Sequence, residues 1–487
     1  MAVALLALLG AVIGFVVIRR VKRDCESRLG NQTRRLCEEA LHGLLTAEIQ
    51  HLDALARLRR LPKAQVRASF ESILREDKEP SPERAAALRK LCEDLGLVAL
   101  WRRRLAARRS TRGASRLIDY LYVWRRRGPL NFVLRAEAAE NLGIICDQSS
   151  WPLLVDALDD PNGAVRSAAV RNLARIREPR GFAALADRLE LAARDSAPEI
   201  SARCLKMALA SFPLMQAARL RQPLEHPHPR VRLLASEVVF LMVQREAAEG
   251  GDPGFNCEHL PAEVAEIFLT RLARDHDPDV RARAADVVAR LEPFCALPVL
   301  TPLLGDSAWF VRLHAVRALR HQRTAPLALL SQRLTDPHWR VREAAARTLF
   351  TRGRSGVRRL FEHFLTTDDR YSQEQVAEQI ERGGLVAFAL ENYGESGREL
   401  ETRVVEAMVL RGFGDILLPA LRNGTPPEKS RALVQELSRS SNANADLFMR
   451  QWVGSASTER EIPERPLADK SRPAGLEPDR LAPVEVS

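Results

Sequence analysis

The stretch VREAAARTL at residues 341–349 carries a pattern that returns throughout the middle of the chain. An aliphatic residue precedes an Arg, an Ala lies three positions after the Arg, and a Leu or Val lies four positions after the Ala. These apolar positions are four residues apart, so they fall on one face of a helix. The other copies are LRAEAAENL (134–142), VRSAAVRNL (165–173), VRLLASEVV (231–239), VRARAADVV (280–288) and VRLHAVRAL (311–319), with ISARCLKMA (200–208) as a weaker one.

A second apolar helix precedes several of these copies. The marked position returns after 30 to 35 residues, or after 49 where residues 249–261 form an insertion. The pattern predicts a repeating pair of antiparallel helices. One pair cannot bury its own apolar face, so neighbouring pairs must stack to complete the core. The preceding segments are WPLLVDAL (151–158), AEIFLTRL (265–272), ALPVLTPLL (296–304) and APLALLSQRL (325–334).

In most units an Asp lies six residues before the marked Arg, where a turn or helix start favours Asp. The sequence predicts that Asp and Arg pair within a turn or between adjacent turns and form a structural ladder. A catalytic Asp–Arg pair repeated in unit after unit is implausible. The ladder residues are Asp160, Arg166, Asp275, Arg281, Asp306, Arg312, Asp336 and Arg342.

The Asp, the Val-Arg, the Ala and the Leu or Val together resemble HEAT repeats, in particular the short bacterial HEAT-like repeat also found in phycobilin lyase subunits. The resemblance covers residues 129–352 and implies an all-α chain. Its expected fold is an α-solenoid, an armadillo-type superhelix of stacked antiparallel helix pairs whose second helices line a concave face. Around it we expect irregular juxtamembrane and capping helices at 24–128, divergent helical repeats at 353–453 and a disordered tail at 454–487.

The first segment predicts one transmembrane helix ahead of the array, with its basic flank ending at residue 23. Residues 2–18 read AVALLALLGAVIGFVVI, without a charged or polar side chain. At ~1.5 Å per residue they span about 25 Å, near the short end for a membrane helix. A basic cluster follows where a signal peptide would have its cleavage site. The positive-inside bias therefore predicts a cytoplasmic body, residues 19–487.

The net charge of +11 is unevenly distributed along the chain. Residues 1–135 hold 28 Lys and Arg against 14 Asp and Glu, whereas residues 136–487 hold 46 against 49. A basic block of this kind attracts either nucleic acid or an anionic membrane surface. The seven Cys are scattered without metal-ligand spacing, which agrees with a reducing compartment.

Cations and aromatic residues mix between residues 101 and 127. Three interpretations remain open for this segment: contact with lipid headgroups, nucleic-acid binding, and an ordinary solvated capping face. Together with the flank of the anchor, the candidate lipid-contact residues are Arg19, Arg20, Lys22, Arg23, Arg102, Arg103, Arg104, Arg125, Arg126 and Arg127.

A second face of the marked helices carries cations at the second, fifth and ninth positions after the Arg. Such a column suits an acidic loop of a partner protein, and the alternative is a solvated face. The candidate partner-binding residues are Arg171, Arg175, Arg283, Arg290, His314, Arg317, His321 and Arg347.

The sequence contains no phosphate loop, nucleophile elbow or paired zinc motif, and it predicts no catalytic residue, metal site, cofactor or small-molecule substrate. We therefore expect a scaffold or adaptor for an unidentified protein partner at a bacterial inner membrane, for example in an envelope or polysaccharide machinery. One alternative is a HEAT-like enzyme, either bilin lyase-like or DNA glycosylase-like. A glycosylase would need an acid beside the basic face, where Asp286 is the candidate. The other alternative is a nucleic-acid-binding protein that uses residues 101–127.

Overall fold

The computed structural model describes residues 30–46, 48–77, 79–107, 131–193, 200–250, 259–423 and 425–458. Within these ranges the chain forms α-helices and short 3₁₀ segments and has no β-strand. The prediction of an all-α chain is confirmed for this part of the protein. The described residues group into two compact units, one ending at Thr348 and the other beginning at Leu349.

The first unit consists of helix pairs joined by tight turns. Short 3₁₀ segments occupy Gln148–Ser150, Leu214–Leu220, Leu272–Arg274 and Gln332–Thr335. The α-helices are α1 (30–45), α2 (His51–Arg59), α3 (Lys63–Glu76), α4 (Pro82–Asp94), α5 (Leu97–Ala106), α6 (Asn131–Ile144), α7 (Trp151–Ala157), α8 (Gly163–Ile176), α9 (Pro179–Ala186), α10 (Leu189–Ala193), α11 (Ala202–Ala210), α12 (Arg221–Leu224), α13 (Pro229–Gly250), α14 (Ala262–Thr270), α15 (Pro278–Val288), α16 (Pro293–Leu303), α17 (Trp309–Leu319), α18 (Leu327–Ser331) and α19 (Trp339–Phe350).

The turns before the marked helices cap their first backbone amides. The Asp277 carboxylate accepts a hydrogen bond of 2.9 Å from the amide of Asp279, and Pro278 lies in the first turn of α15. Asn162 caps α8 in the same way through the amide of Ala164. A Pro in the first turn loses no helical hydrogen bond, because that amide has no partner within the helix. These turns therefore determine where each marked helix begins.

The marked Ala is fully buried in every strong copy, which fixes the rotation of each helix about its own axis. The flanking aliphatic positions are 0–2% exposed, except Leu134 at 40%. A methyl side chain at the centre of the face lets the next helix approach closely, and a larger one has no room in a close-packed interior. The six Ala residues, each 0% exposed, are Ala138, Ala169, Ala235, Ala284, Ala315 and Ala345.

The marked helices form a continuous stack within the first unit. From α6 onwards each of α6, α8, α11, α13, α15 and α17 packs against the next in this order. The preceding apolar helices pack beside them, as α7 does on α8 and α16 on α17. Helix α5 packs on α6, so the pair α4–α5 extends the stack at its amino-terminal end. This arrangement is an α-solenoid of antiparallel helix pairs.

The second unit is also helical, and its one Val-Arg pair, at 357–358, is followed by Phe361 where the marked repeats have Ala. The two successive helices Glu399–Leu410 and Gly414–Asn423 pack together as an antiparallel repeat pair would. Gly412, with φ of 84°, makes the turn between them in a backbone conformation that favours glycine. The helices are α20 (Gly353–Thr366), α21 (Arg370–Arg382), α22 (Leu385–Glu391), α23 (Glu399–Leu410), α24 (Gly414–Asn423), α25 (Pro427–Leu437) and α26 (Ala443–Thr458).

Several parts of the sequence prediction lie outside the described residues. The longer ones are the anchor at 2–18 with its basic flank, residues 24–29 and 108–128 of the juxtamembrane and capping region, residues 129–130, 194–199 and 251–258 of the repeat region, and residues 459–487 of the tail. None of the helices in the described ranges is long and apolar enough to cross a membrane. The anchor therefore stays a prediction from the sequence.

Candidate functional site

The repeat Arg and Asp residues form bidentate ion pairs between adjacent repeats, which we call the turn ladder. Arg312 places Nε 2.7 Å from Asp336 Oδ2 and Nη2 2.7 Å from Asp336 Oδ1. Each carboxylate comes from the following turn, and the Asp six residues before the Arg is not its ionic partner. The other pairs of this kind are Arg135–Asp160, Arg232–Asp275 and Arg281–Asp306.

The remaining guanidinium nitrogen holds the turn from which the Arg itself emerges. Arg312 Nη1 donates to the carbonyl oxygens of Asp306 (2.9 Å) and Ser307 (3.3 Å). Arg232, Arg281 and Arg312 therefore tie their own turns to the turn of the next repeat. The same backbone contacts are made by Arg166, Arg232, Arg281 and Arg342.

The ladder Asp has a second role within its turn. Asp336 Oδ1 also accepts a hydrogen bond of 2.9 Å from the amide of His338, and Asp306 Oδ1 accepts one from Ala308. The Asp336 side chain is 1% exposed and that of Arg312 is 12% exposed. Both partners are thus almost out of solvent, with their hydrogen-bonding groups directed at the turns.

The electrostatics of the ladder favour the charged forms. Burial by itself would raise the pKa of Asp306 and of Asp336, but hydrogen bonds from Arg281 and Arg312 outweigh it and hold both values below the usual range. The same hydrogen bonds raise the pKa of the two guanidinium groups. These carboxylates are ionised at neutral pH and fully engaged, so the ladder is suited to holding repeats together and not to transferring protons.

The ladder step between α11 and α13 lacks both of its residues. Ser201 takes the Arg position, and His226 takes the Asp position, 3.9 Å from the Glu190 carboxylate. His226 Nδ1 accepts a hydrogen bond from the amide of His228, so its ring caps the turn as the Asp does elsewhere. A cavity of about 460 Å³ opens here, lined by Arg219, Arg221, Gln222, Glu225, His226 and Pro227.

The predicted cationic column is interleaved with carboxylates, and we call this arrangement the helix-face network. Arg171 pairs with Glu140, and Arg175 lies 3.4 Å from the same carboxylate. Further along the stack, Lys206 is 2.5 Å from Glu237. These pairs join neighbouring marked helices, so part of the predicted positive charge is neutralised within the protein.

The same network continues from α13 to two more helices, α15 and α17. Arg283 is 2.7 Å from Asp286 and 3.9 Å from Glu237, and its guanidinium lies over the Phe240 ring. His314 Nδ1 is 2.8 Å from Asp286 Oδ1. The Asp286 side chain is only 14% exposed and contacts both neighbours. An acid held in this way is poorly placed to serve as the general base that a glycosylase needs.

The other members of the column differ in their environment. Arg317 is exposed, and Arg347 pairs with Glu343 of its own helix at 3.0 Å. Partial desolvation together with Arg290 and Arg320 lowers the pKa of His321 to about 4. His321 is therefore neutral at pH 7 and adds no charge to the column. The stripe expected from the spacing to be basic thus contains ion-paired cations, a neutral imidazole and the exposed Arg317.

The described part of the basic segment is largely engaged inside the protein. Trp101 is 0% exposed and, with Arg104, donates to the Glu71 carboxylate. Arg102 donates to Asp147, and Arg103 is exposed. The buried indole is not available for stacking on nucleic-acid bases. The candidates Arg19, Arg20, Lys22, Arg23, Arg125, Arg126 and Arg127 lie outside the described residues.

The Arg102–Asp147 pair belongs to a buried polar cluster. The Asp147 side chain is 3% exposed and also accepts hydrogen bonds from the hydroxyl groups of Ser149 and Ser150. Burial would raise the pKa of Asp147, but the bonds from Ser150, Arg102 and Ser149 keep it below the usual range. Arg102 is thus the partner of a buried carboxylate, which a contact with lipid would have to break.

Sequence analysis missed side-chain hydrogen bonds that tie two of the repeats to carbonyls at the end of the preceding marked helix. Gln322, 1% exposed, donates to the carbonyl oxygens of Ala289 (2.9 Å) and Leu291 (3.0 Å). Ser211 donates to the carbonyl of Ala174 at 3.1 Å. Both donors lie ten residues after the marked position, and this shared spacing is the signal that was available in the sequence.

A second missed feature is an aromatic group at the last two turns of the first unit. We call Trp309, His338, Trp339 and Arg340 the tryptophan cluster. The His338 ring stacks on Trp309 with centroids 3.8 Å apart and planes 3° from parallel, and Trp339 follows at 6.2 Å and 16°. Each Trp lies three residues before a ladder Arg, where the first repeat has Phe132 and the remaining repeats have Gly or Pro.

Comparison with known proteins supports the repeat assignment. The family model of HEAT repeats matches residues 130–206 and 265–349, so the predicted resemblance is confirmed over these two stretches. No curated protein matches the sequence. Among the described residues, no group of three or more His, Cys, Asp or Glu side chains is arranged to hold a metal ion.

Solved structures align with the chain at low similarity. An engineered protein has 15% identity, a TM-score of 0.29 and coverage of 84% of this chain and 100% of that one. Kap121p bound to Pho4p has 13% identity, a TM-score of 0.41 and coverage of 80% and 45%. Kap95p with RanGDP has 12% identity, a TM-score of 0.33 and coverage of 88% and 68%. Alignments this loose do not indicate a partner or an activity.

Proposed function

We propose that this protein is a membrane-anchored scaffold that holds a protein partner on its stacked repeats at the cytoplasmic face of a bacterial inner membrane. Residues 2–18 anchor the chain, and the basic flank that follows them keeps the body in the cytoplasm. Tethering raises the local concentration of the bound partner at the membrane. An envelope or polysaccharide-synthesis machinery is one setting for such a partner.

The observation that supports the scaffold is the use of the repeat ion pairs between repeats. The ladder Arg and Asp residues form ion pairs that join successive turns, as Arg281 and Asp306 do. Stacked repeats of this kind present an extended, ordered surface, and proteins built in this way commonly bind other proteins along it. We therefore propose a role in binding and not in catalysis.

The enzymatic alternative receives no support from the one acid that it requires. Asp286 is held by Arg283 and His314, which leaves it without the environment of a general base. The nucleic-acid alternative is weakened in the described part of its segment, because Trp101 is buried and Arg102 and Arg104 have carboxylate partners. A protein partner remains the function that these contacts favour.

The test is affinity purification of the full chain from detergent-solubilised bacterial membranes, followed by mass spectrometry. A matched chain lacking residues 1–23 is purified in parallel. We expect the full chain to sediment with membranes, resist carbonate extraction and recover a reproducible protein partner. Recovery of the full chain in the soluble fraction would refute the anchor, and recovery of no specific protein would refute the scaffold.

Charge reversal tests whether the partner uses the helix-face column. Arg290, Arg317 and Arg347 are changed together to Glu. Loss of the native partner is expected if the column binds it, and unchanged recovery of every partner would exclude the column as the binding face.

A further inference from the structure

The tryptophan cluster combines an exposed indole with a cation whose charge is not neutralised. Trp339 is 52% exposed, although an indole gains free energy from burial. The guanidinium of Arg340 lies 5.2 Å from the Trp339 ring and 5.6 Å from the Trp309 ring. No carboxylate of the described residues forms an ion pair with Arg340. Arg340 thus differs from a ladder cation such as Arg312, which has a carboxylate partner.

The cluster is held in place by the turn from which it emerges. His338 Nδ1 accepts a hydrogen bond of 3.3 Å from the amide of Arg340, which fixes the imidazole against the start of α19. The Asp336 carboxylate also accepts a hydrogen bond from the amide of His338. Stacking on His338 then orients Trp309, which begins α17 in the preceding repeat. The rings are therefore positioned before any partner arrives, which lowers the entropy that binding must lose.

We propose that the tryptophan cluster is a docking site for a short acidic peptide segment of a protein partner, an inference that rests on the scaffold function proposed above. A carboxylate of the segment pairs with the planar fork of Arg340, and a neighbouring apolar side chain covers the exposed face of Trp339. Trp and Arg are the residue types that dominate binding energy at protein interfaces.

The charge around the cluster favours a peptide with few carboxylates over a nucleic acid. Arg340 is the one guanidinium or ammonium group among the four residues of the cluster. A polyphosphate backbone needs several cations to release its counterions, and the cluster supplies one. One or two acidic side chains beside an apolar one match the site.

The test uses the full chain in detergent micelles to select binders from a random dodecamer peptide library displayed on phage. Selected peptides are synthesised with a fluorescent label, and their affinities are measured by fluorescence polarisation. The site variants are Trp339→Ala and Arg340→Glu, with Arg340→Gln as a milder change. The controls are Phe294→Ala, which removes an aromatic side chain that is 77% exposed elsewhere, and Arg323→Glu, which reverses an exposed cation outside the cluster.

We expect the selected peptides to carry Asp or Glu beside an apolar residue, and to bind the site variants roughly tenfold or more weakly. The two controls should bind like the unaltered chain, and circular dichroism should show that all variants are folded. Selection of peptides that are not acidic, or that bind the site variants equally well, would overturn the proposal. Arg340-dependent binding of a labelled dT12 oligonucleotide would assign the cluster to nucleic acid instead.

Failure of this proposal is distinguishable from failure of the scaffold. If native partners still purify with the Arg340→Glu chain, the scaffold stands and its partners dock elsewhere. If the unaltered chain recovers no native partner, the scaffold itself is refuted, whatever the peptide library yields.

Discussion

Replacing Asp336 by Asn tests the turn ladder at a carboxylate whose side chain is 1% exposed. The amide of Asn keeps an oxygen that can accept the hydrogen bond from His338, but it places an N–H group opposite the Arg312 fork, where Oδ2 now accepts at 2.7 Å. Removing one partner of a buried ion pair destabilises a protein by about 3–5 kcal/mol. Because Arg312 keeps two backbone acceptors, we expect the lower end, about 3 kcal/mol.

The loss of stability should be confined to the repeats next to the substitution, because each repeat of a solenoid contacts only its neighbours. Hydrogen–deuterium exchange followed by mass spectrometry measures it helix by helix. A loss of about 3 kcal/mol corresponds to roughly 100-fold faster exchange. This applies to the backbone amides of α17 and α19 that exchange only when the two repeats separate. Helix α8, several repeats away, should keep its exchange rate and serves as the internal reference.

Two further variants separate the buried pair from a general effect of charge. Glu249→Gln removes one negative charge from an exposed pair with Arg245, where the Glu side chain is 64% exposed, and should change exchange little. Combining Asp336→Asn with Arg312→Met removes both buried charges and should recover part of the lost protection. If α17 exchanges at the same rate in the Asp336→Asn chain and the unaltered chain, the ladder does not hold the repeats together and the reasoning is refuted.

Two other predictions concern pH and the basic segment. The pKa values of Asp306 and Asp336 are lower in the folded chain than in the unfolded one. Their contribution to stability is therefore fully present above the unfolded pKa of about 4, and it is lost as the pH falls through the folded pKa. At pH values below about 4, the melting temperature should therefore fall, and it should fall less steeply in the Asp336→Asn chain. An equal fall in both chains would show that the ladder is not the cause of this pH dependence. Arg102→Ala leaves the Asp147 carboxylate buried without its cation and should lower the melting temperature by several degrees, whereas Arg103→Ala at an exposed position should change it little. Equal melting temperatures for the two variants would indicate that Arg102 is a surface cation after all.

The repeat register was predictable because it depends on spacing within one helix. Residues four apart share a helix face, and the marked Ala residues, such as Ala284 and Ala315, are fully buried as that rule requires. The Asp before each marked Arg was assigned to a turn for an equally local reason, its preference for capping backbone amides. Predictions of this kind need no knowledge of how the helices are arranged in space.

Pairing across repeats was not predictable in the same way. Arg312 lies six residues from Asp306, yet it uses the carbonyl of Asp306 and takes the carboxylate of Asp336 from the next repeat. Likewise, the helix-face column looked basic because cations share its register, while the carboxylates that neutralise them, such as Glu140 and Glu237, come from neighbouring helices. Which side chains meet between helices depends on how far one helix is shifted along the next.

The sequence by itself determined the helical repeat, its register, its length and the residues that line its core, because all of these follow from periodicity along one chain segment. It also predicts an anchor at residues 2–18. Only the tertiary structure decided which charged groups neutralise one another and which remain for a partner. That choice depends on distances of a few ångströms between helices, since an ion pair forms or fails over that range. In the sequence, Arg102 and Arg340 are simply two of many Arg residues. In the structure, Arg102 pairs with Asp147, whereas Arg340 lies near two indoles. These neighbours in space distinguish a structural residue from a candidate for recognition.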